Sequence, residues 1–426
     1  MPTKTFVDPD VGRGPAQLYA ERTKRFADVY QLKQPDRVPI QLGFGYMLAE
    51  MYGATRQEQH ESAARELEML EKAGSYFQPD SIMGLFNNPA VSLAVGDRMT
   101  KFPGHGLDPN GSFQFVEGEY MKAEDYDAFI DDPADWGIRK YWPRVFSELG
   151  GIGLLPPLGM ATFGVYGLYT LGSLAAPPLA KALRVMAHAV EAQAAADQRA
   201  VQTVQRMAEL GFGPPTFMGA LIEAPFDLMS DTLRGMRGIM LDMHRHPDKL
   251  LAAQEKVLRF QLEYAINWCN ATGIKVAFIP LHRGSDGFMS LAQFEKFYWP
   301  QLRAMQVGLV EAGIMPFVFY EGVWDQRLTY LTELPKGKTT GLFQSSDIFK
   351  VKRVVGDTMC IMGGMPNSLL QAGTAQQVRD LTKRLCEEVG KGGGYIMSVG
   401  VGEMEGCRPD LVKVWVDATK EYGVYN

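Results

Sequence analysis

The chain has 426 residues, 46% of them apolar and 22% charged, with a formal net charge of −6. That usage can fill a large core and advertises no basic face, so neither a nucleic acid nor an anionic membrane is expected as a partner. Cys269, Cys360, Cys386 and Cys407 form no C-x-x-C pair, so reduced thiols in a cytoplasm are expected rather than a zinc knuckle or a disulfide framework.

In chain order, the N-terminal "MPTKTFVDPDVGRG" has no apolar core segment, and no signal peptide is read there. Eight short apolar runs bounded by turn residues then read as strands buried on both faces. They are Arg37 to Phe44, Ser81 to Phe86, Thr216 to Ile222, Lys275 to Leu281, Pro316 to Tyr320, Thr339 to Gln344, Thr358 to Gly364 and Tyr395 to Gly400. Helical patterns separate most of them. Ser290 with Gln293 and Thr374 with Gln377 read as capping boxes, the second helix stops at Gly390, and Pro247 opens a long helix. Strand and helix repeated eight times imply a (β/α)8 barrel spanning 1–426 as one domain. The irregular region of about 87–213 reads as an insertion after the second strand that covers the barrel mouth. Inside it, Leu149 to Ala180 carries no charge. Its length could span a bilayer. Two Pro-Pro pairs and many glycines would strip a lone helix of its backbone bonds, so a lid, subunit contact or pocket wall is expected instead.

In a barrel of this kind chemistry collects at the carboxyl ends of the strands. The first polar residues there are Glu223 after the third run, His282, Arg283 and Asp286 after the fourth, and Glu321 after the fifth. Gln344 and Asp347 follow the sixth, Asn367 the seventh, and Glu403, Glu405 and Cys407 the eighth, while Asp80 lies just before the second. His282, Glu321, Asp347 and Glu403 come from four loops of one rim and make a candidate metal set, with zinc preferred. Without metal, the same groups could do acid–base work. The plainer reading of Asp347 and Glu403 is a helix cap or a solvated loop, and Asp286 in "SDG" reads as turn chemistry. Phe44, Tyr46, Phe86, Phe288, Tyr320 and Trp324 flank predicted strand ends and point to an apolar or aromatic substrate, although aromatics more often belong to a core.

Several blocks resemble the uroporphyrinogen decarboxylase superfamily, which includes corrinoid-linked methyltransferases. They are "PDRVPI", "IEAPFDLMSD", "MSLAQFEKFYWPQL" and "GGMPNSLLQAGTAQQVRDL", in the family's order. The resemblance implies a (β/α)8 barrel with its site in the mouth, and a homodimer. The loop Gly43 to Gly53 lacks the arginines that clamp polycarboxylates in the decarboxylase proper. Asp80 falls one place from that enzyme's essential aspartate. Against the methyltransferase branch, Phe319 stands in place of the family's zinc-binding histidine, Glu321 in place of its first cysteine and Val401 in place of its last. The thiolate site is gone and a carboxylate remains.

The resulting expectation is a methyltransferase-like enzyme acting on a small apolar or aromatic methylated compound. A corrinoid protein or a folate would accept the methyl group; the chain has no "D-x-H-x-x-G" motif, so a corrinoid would arrive on a partner. The alternatives are a metal-free decarboxylase or lyase using Asp80, Glu321 and His282, and a binding protein without chemistry.

Overall fold

The computed structural model describes residues 8–85, 88–173, 177–216, 219–401 and 403–425. Phe86 of the expected aromatic set, and the expected strand positions 217 and 218, lie outside them. Eight strands form the barrel: β1 (Gln41–Gly43), β2 (Ser81–Met83), β3 (Ala220–Leu221), β4 (Val276–Leu281), β5 (Met315–Tyr320), β6 (Thr340–Phe343), β7 (Cys360–Met365) and β8 (Tyr395–Val399). β3 to β8 pair in order as one parallel sheet, and β1 pairs with β2. A parallel bridge between Ile40 and Met397 joins β8 to β1. The seam between β2 and β3 is held by the Gly213 amide on the Asp80 carbonyl at 2.7 Å and by Ser81 Oγ on the Pro214 carbonyl at 3.1 Å.

Local signals place the helices. Both capping boxes form, on Ser290 and on Thr374. Pro247 opens the helix Pro247–Thr272, which ends at Gly273 with φ 75. Tyr395 and Ile396 of β8 follow three left-handed glycines, Gly392 to Gly394, and a Cβ at Gly393 would lie 2.4 Å from the Lys33 carbonyl oxygen.

The helix Pro15–Tyr30 seals the amino end of the barrel. Its Phe26 and Val29 pack on Phe317, Leu342, Cys360, Met362 and Ile396, the inward side chains of the barrel floor. Beside that plug sits a buried ionic network. Asp80 accepts from Arg25 Nη1 at 2.8 Å, from Arg37 Nη1 at 2.6 Å and from the Ile40 amide at 2.8 Å. Asp10 pairs with Arg22, Arg37 and Lys420. Burial alone would raise both carboxyls, but the surrounding guanidiniums, joined at Asp10 by Lys420, hold them below the usual range.

The insertion divides into two parts. Its short strands, Thr100–Pro103, Gly106–Leu107 and Gln114–Phe115, lead into a segment that crosses the mouth. Ser112 Oγ reaches Glu405 at 3.1 Å and the Phe113 amide donates to Tyr46 at 2.9 Å, on the β8 and β1 side. Four residues on, Glu117 Oε2 accepts from Arg283 at 3.1 Å, on the β4 side. The uncharged stretch does not provide this cover. Leu149, Ile152 and Leu179 instead form a satellite core with Val95, Ala182 and Ala189 of the helices Pro89–Val95 and Pro177–Glu209. Among the described residues no helix is long and apolar enough to cross a membrane.

The ionic network predicts the effect of Asp80→Asn. Several buried cations would lose their anion, and stability should fall by about 3–5 kcal/mol, read from urea unfolding with an unchanged slope. The Asp80 contribution is complete above the unfolded carboxylate pKa of about 3.9 and is lost as pH falls through the depressed folded value. The variant's stability should therefore depend less on pH below that point.

Candidate active site

Strand pleating selects the side chains that meet in the mouth. On β4, Val276, Phe278 and Pro280 are half-buried while Ala277, Ile279 and Leu281 are buried. The buried set lies under the helices, and the half-buried set faces the barrel interior. β5 pairs Phe319 with Pro280 and Tyr320 with Leu281, so Phe319 faces inward and Tyr320 outward. One step beyond each strand, His282 follows the Pro280 side and Glu321 follows the Phe319 side. β3 adds Leu221, opposite Phe278 and half exposed. Phe278, Phe319 and Leu221 thus form an apolar floor below His282 and Glu321.

The structure brings His282 and Glu321 together, with Nε2 and Oε1 3.6 Å apart. The other ring nitrogen, Nδ1, is hydrogen-bonded to Asp231 Oδ2. Asp231 lies in the π-helical turn Met229–Arg234, which continues the helix Pro225–Leu228 after β3. Asp227, one turn earlier, accepts from the His282 amide at 3.1 Å, the Arg283 amide at 3.0 Å and the Tyr298 hydroxyl at 2.6 Å. It holds the chain where β4 ends. Arg283 pairs with Asp231 at 2.9 Å and donates to Ser230 Oγ at 2.9 Å. Glu223 opens this run, and among the described residues its buried Oε2 has no hydrogen-bond partner.

The electrostatics follow from crowding. Burial alone would lower the His282 pKa, but the hydrogen bond to Asp231 and the charges of Asp227, Asp231 and Glu321 lift it to about 10. These carboxylates favour the protonated imidazole, with Nδ1 held by Asp231 and Nε2 directed to Glu321. Burial raises Glu321, with Asp231 adding to the rise and His282 and Arg283 opposing it. Burial and then the Asp231 charge push Glu223 up to about 7. Burial and the same neighbour raise Asp227.

Other expected site residues lie elsewhere. Asp80 is at the amino end of β2, bound by arginines, and does not share the mouth. Asp347 caps the helix Ile348–Val355, accepting from the Phe349 and Lys350 amides. Glu403 sits against Gly45 on the β1 side, where burial and then Glu405 raise its pKa. The four expected metal ligands therefore do not converge. Among the described residues no three His, Cys, Asp or Glu side chains are grouped as a metal site requires. Asp286 accepts from the Gln326 amide at 3.0 Å and pairs with Arg327, tying the β4 and β5 loops together.

The aromatic set needs the same correction. Phe44, Tyr320 and Trp324 are fully buried. Phe44 packs on Phe77, and Tyr320 stacks on Phe343 at 4.7 Å and 10°. Trp324 donates to the Glu321 carbonyl at 2.8 Å, which anchors the loop that carries that carboxylate. Tyr46 is buried against His60. Phe288 is half-buried with Arg283 over its ring at 5.5 Å. The sequence reading noted Glu223 only as the first polar residue after its strand and named neither Asp227 nor Asp231, yet the spacing of four in "IEAPFDLMSD" marks one helix face directly after a strand.

A family model for uroporphyrinogen decarboxylase (URO-D) matches residues 172–422, more than half of the chain, and the chain belongs to that family. It is 32% identical over 81 residues to a uroporphyrinogen decarboxylase of Hahella chejuensis, which covers 19% of this chain and 22% of that one. It is 25% identical over 141 residues to the enzyme of Neisseria meningitidis, which covers 32% and 38%. The matches thus span well under half the length of these curated relatives. A methyltransferase from Methanosarcina mazei superposes with a TM-score of 0.60 over 94% of this chain and 98% of its own, at 15% identity, which establishes the shared fold.

A raised histidine pKa stabilises the fold below the unfolded value of about 6.5, and that stabilisation is lost as pH rises through about 10. The imidazole should stay protonated through pH 8, as read by proton–nitrogen NMR. Asp231→Asn should bring its pKa down by more than about one unit, because it removes both the anion and the charge-assisted hydrogen bond.

Proposed function

We propose that the chain is an enzyme that removes an O- or N-methyl group from a small, largely apolar or aromatic compound bound in the barrel mouth. The observation that carries this reading is the placement of His282 between Asp231 and Glu321 at the end of β4. Its Nδ1 is held by Asp231 and its Nε2–H stands over a floor of Phe278, Phe319 and Leu221. An alkoxide or amide anion is a poor leaving group, and a positioned acid removes that difficulty. As the carbon–oxygen bond breaks, its electron pair goes to oxygen. That oxygen takes the Nε2 proton, and the methyl group passes to the lone pair of a nucleophilic acceptor. The acceptor would be a corrinoid protein or a folate. Glu321, 3.6 Å from Nε2, would stabilise the cation before transfer and orient the substrate oxygen. The apolar floor holds the substrate body and keeps water out. Membership of a family of decarboxylases and methyltransferases supports an enzyme of this general kind.

A second reading is decarboxylation, favoured by the number of acids with raised pKa around His282. There the same proton would go to the carbon that loses carbon dioxide. The loop Gly43 to Gly53 has no arginine, so a polycarboxylate would lack a clamp from it.

The test uses aryl methyl ethers and N-methylanilines labelled with carbon-13 in the methyl group, with a reduced corrinoid protein or tetrahydrofolate as acceptor. His282→Gln should lower methyl transfer by about 10²–10⁴-fold with the melting temperature little changed. Glu321→Gln should lower it by a smaller factor and flatten the pH profile. Release of labelled carbon dioxide from aromatic acids, without methyl transfer, would select the second reading. A His282→Gln enzyme with full turnover would remove His282 from the mechanism.

A further inference from the structure

A cavity of about 280 Å³ opens at the carboxyl ends of β6, β7 and β8, where Gln344, Ser346, Gly364 and Gly400 are among its lining residues. Gln344 and Gly400 keep the strand parity of Leu342 and Ile396 in the barrel floor, so they stand above that floor, on the side of the mouth away from β4. Glycines leave the space unfilled. β7 ends on Gly363 and Gly364 with φ 119 and 100, backbone that other residues rarely adopt. On β8, a Cβ at Gly400 would lie 2.5 Å from the Gln344 carbonyl oxygen. Two donor groups line the cavity. Gln344 Oε1 accepts from the Gly322 amide at 2.6 Å. Only the oxygen of a carboxamide can accept from an N–H, so Nε2 is the end left over, and among the described residues nothing accepts from it. Ser346 Oγ accepts from the Trp324 amide at 2.8 Å, which leaves its O–H to donate. No charged side chain lines the cavity among the described residues.

We propose that this cavity binds an uncharged single-ring compound through a neutral oxygen acceptor, a ketone, ester or ether, which Gln344 Nε2 and the Ser346 hydroxyl recognise. The inference rests on the proposed function, which puts a small aromatic compound in the mouth, and adds what that compound must carry. The lining decides the class. Two donor groups whose own acceptor atoms are occupied select an acceptor. A carboxylate is disfavoured, since no cation lines the cavity and Glu321 stands beside Gly322. A plain hydrocarbon is disfavoured as well, since it would strip water from both donors and return no bond. Size agrees. The volume equals roughly nine waters at about 30 Å³ each, enough for one substituted ring and too little for a whole folate. The amide that Gln344 holds follows Glu321 directly, so ligand recognition and the site carboxylate share one loop.

Three probes of one shape test this without turnover: acetophenone, benzoate and α-methylstyrene, which present a neutral acceptor, a charged one and none. The full chain, labelled with nitrogen-15 in its glutamine side chains, is titrated by NMR. Acetophenone should bind and shift the Gln344 carboxamide resonance, which is identified by its loss in Gln344→Glu. Benzoate and α-methylstyrene should bind at least about 10-fold more weakly. Gln344→Glu keeps an oxygen for the Gly322 amide, so the melting temperature should hold, while loss of the donor should weaken acetophenone by about 10-fold or more. No acetophenone binding, equal affinity for the three probes, an unmoved Gln344 resonance, or wild-type affinity in Gln344→Glu overturns the proposal. Acetophenone bound as expected by a protein that demethylates no aryl ether would uphold this site and remove the methyl-transfer reading alone. Demethylation of aryl ethers by Gln344→Glu at the wild-type KM would overturn this site and leave that reading standing.

Discussion

Successive side chains on a strand leave on opposite faces, and in a closed barrel those faces are different worlds. One is the interior, the other the seam under the helices. The whole site depends on this alternation. Phe278 and His282 share one parity on β4 and its extension, as do Phe319 and Glu321 on β5 and its extension. The same rule sends Tyr320 and Trp324 into the aromatic layer with Phe294, Tyr298 and Phe343. That layer fixes the loops that carry Glu321 and His282, through the Trp324 bond to the Glu321 carbonyl and the Tyr298 bond to Asp227.

Over this frame the charges are arranged unevenly. Carboxylates outnumber cations around His282, and the imbalance raises the imidazole pKa above its ordinary value near neutrality. Arg283 balances part of the negative charge and ties it to the insertion through Glu117. The strap across the mouth is thus latched to Arg283, the residue beside His282. Any movement of residues 112–117 would change the field at His282 as well as access to it.

The barrel was legible because its signals are local: eight apolar runs, two capping boxes and a proline at a helix start. His282 and Glu321 were legible for a related reason, since each follows an apolar strand directly and the chain there has not reached water. Tyr320 was misplaced because the reading did not carry the pleat through. If Glu321 faces inward, Phe319 must as well, and Tyr320 cannot. Asp347 failed because the amides of a following helix compete for a short carboxylate. Asp80 failed because it precedes its strand and so belongs to the opposite end. Asp227 and Asp231 were overlooked although their spacing from Glu223 is helical. The π turn that aims Asp231 at His282 has no reliable mark in the sequence.

The ionic network at the amino end also bears on the order in which the protein can be completed. Asp10 and Asp80 meet their arginines within the first eighty residues, but the buried ammonium of Lys420 comes from the helix Pro409–Tyr422. During synthesis the first and last helices are separated by almost the entire barrel. The charge balance beneath the barrel therefore closes only when the last helix docks. A nascent chain lacking that helix would hold Asp8 and Asp10 without one of their cations, so final docking is an electrostatic event as well as a hydrophobic one.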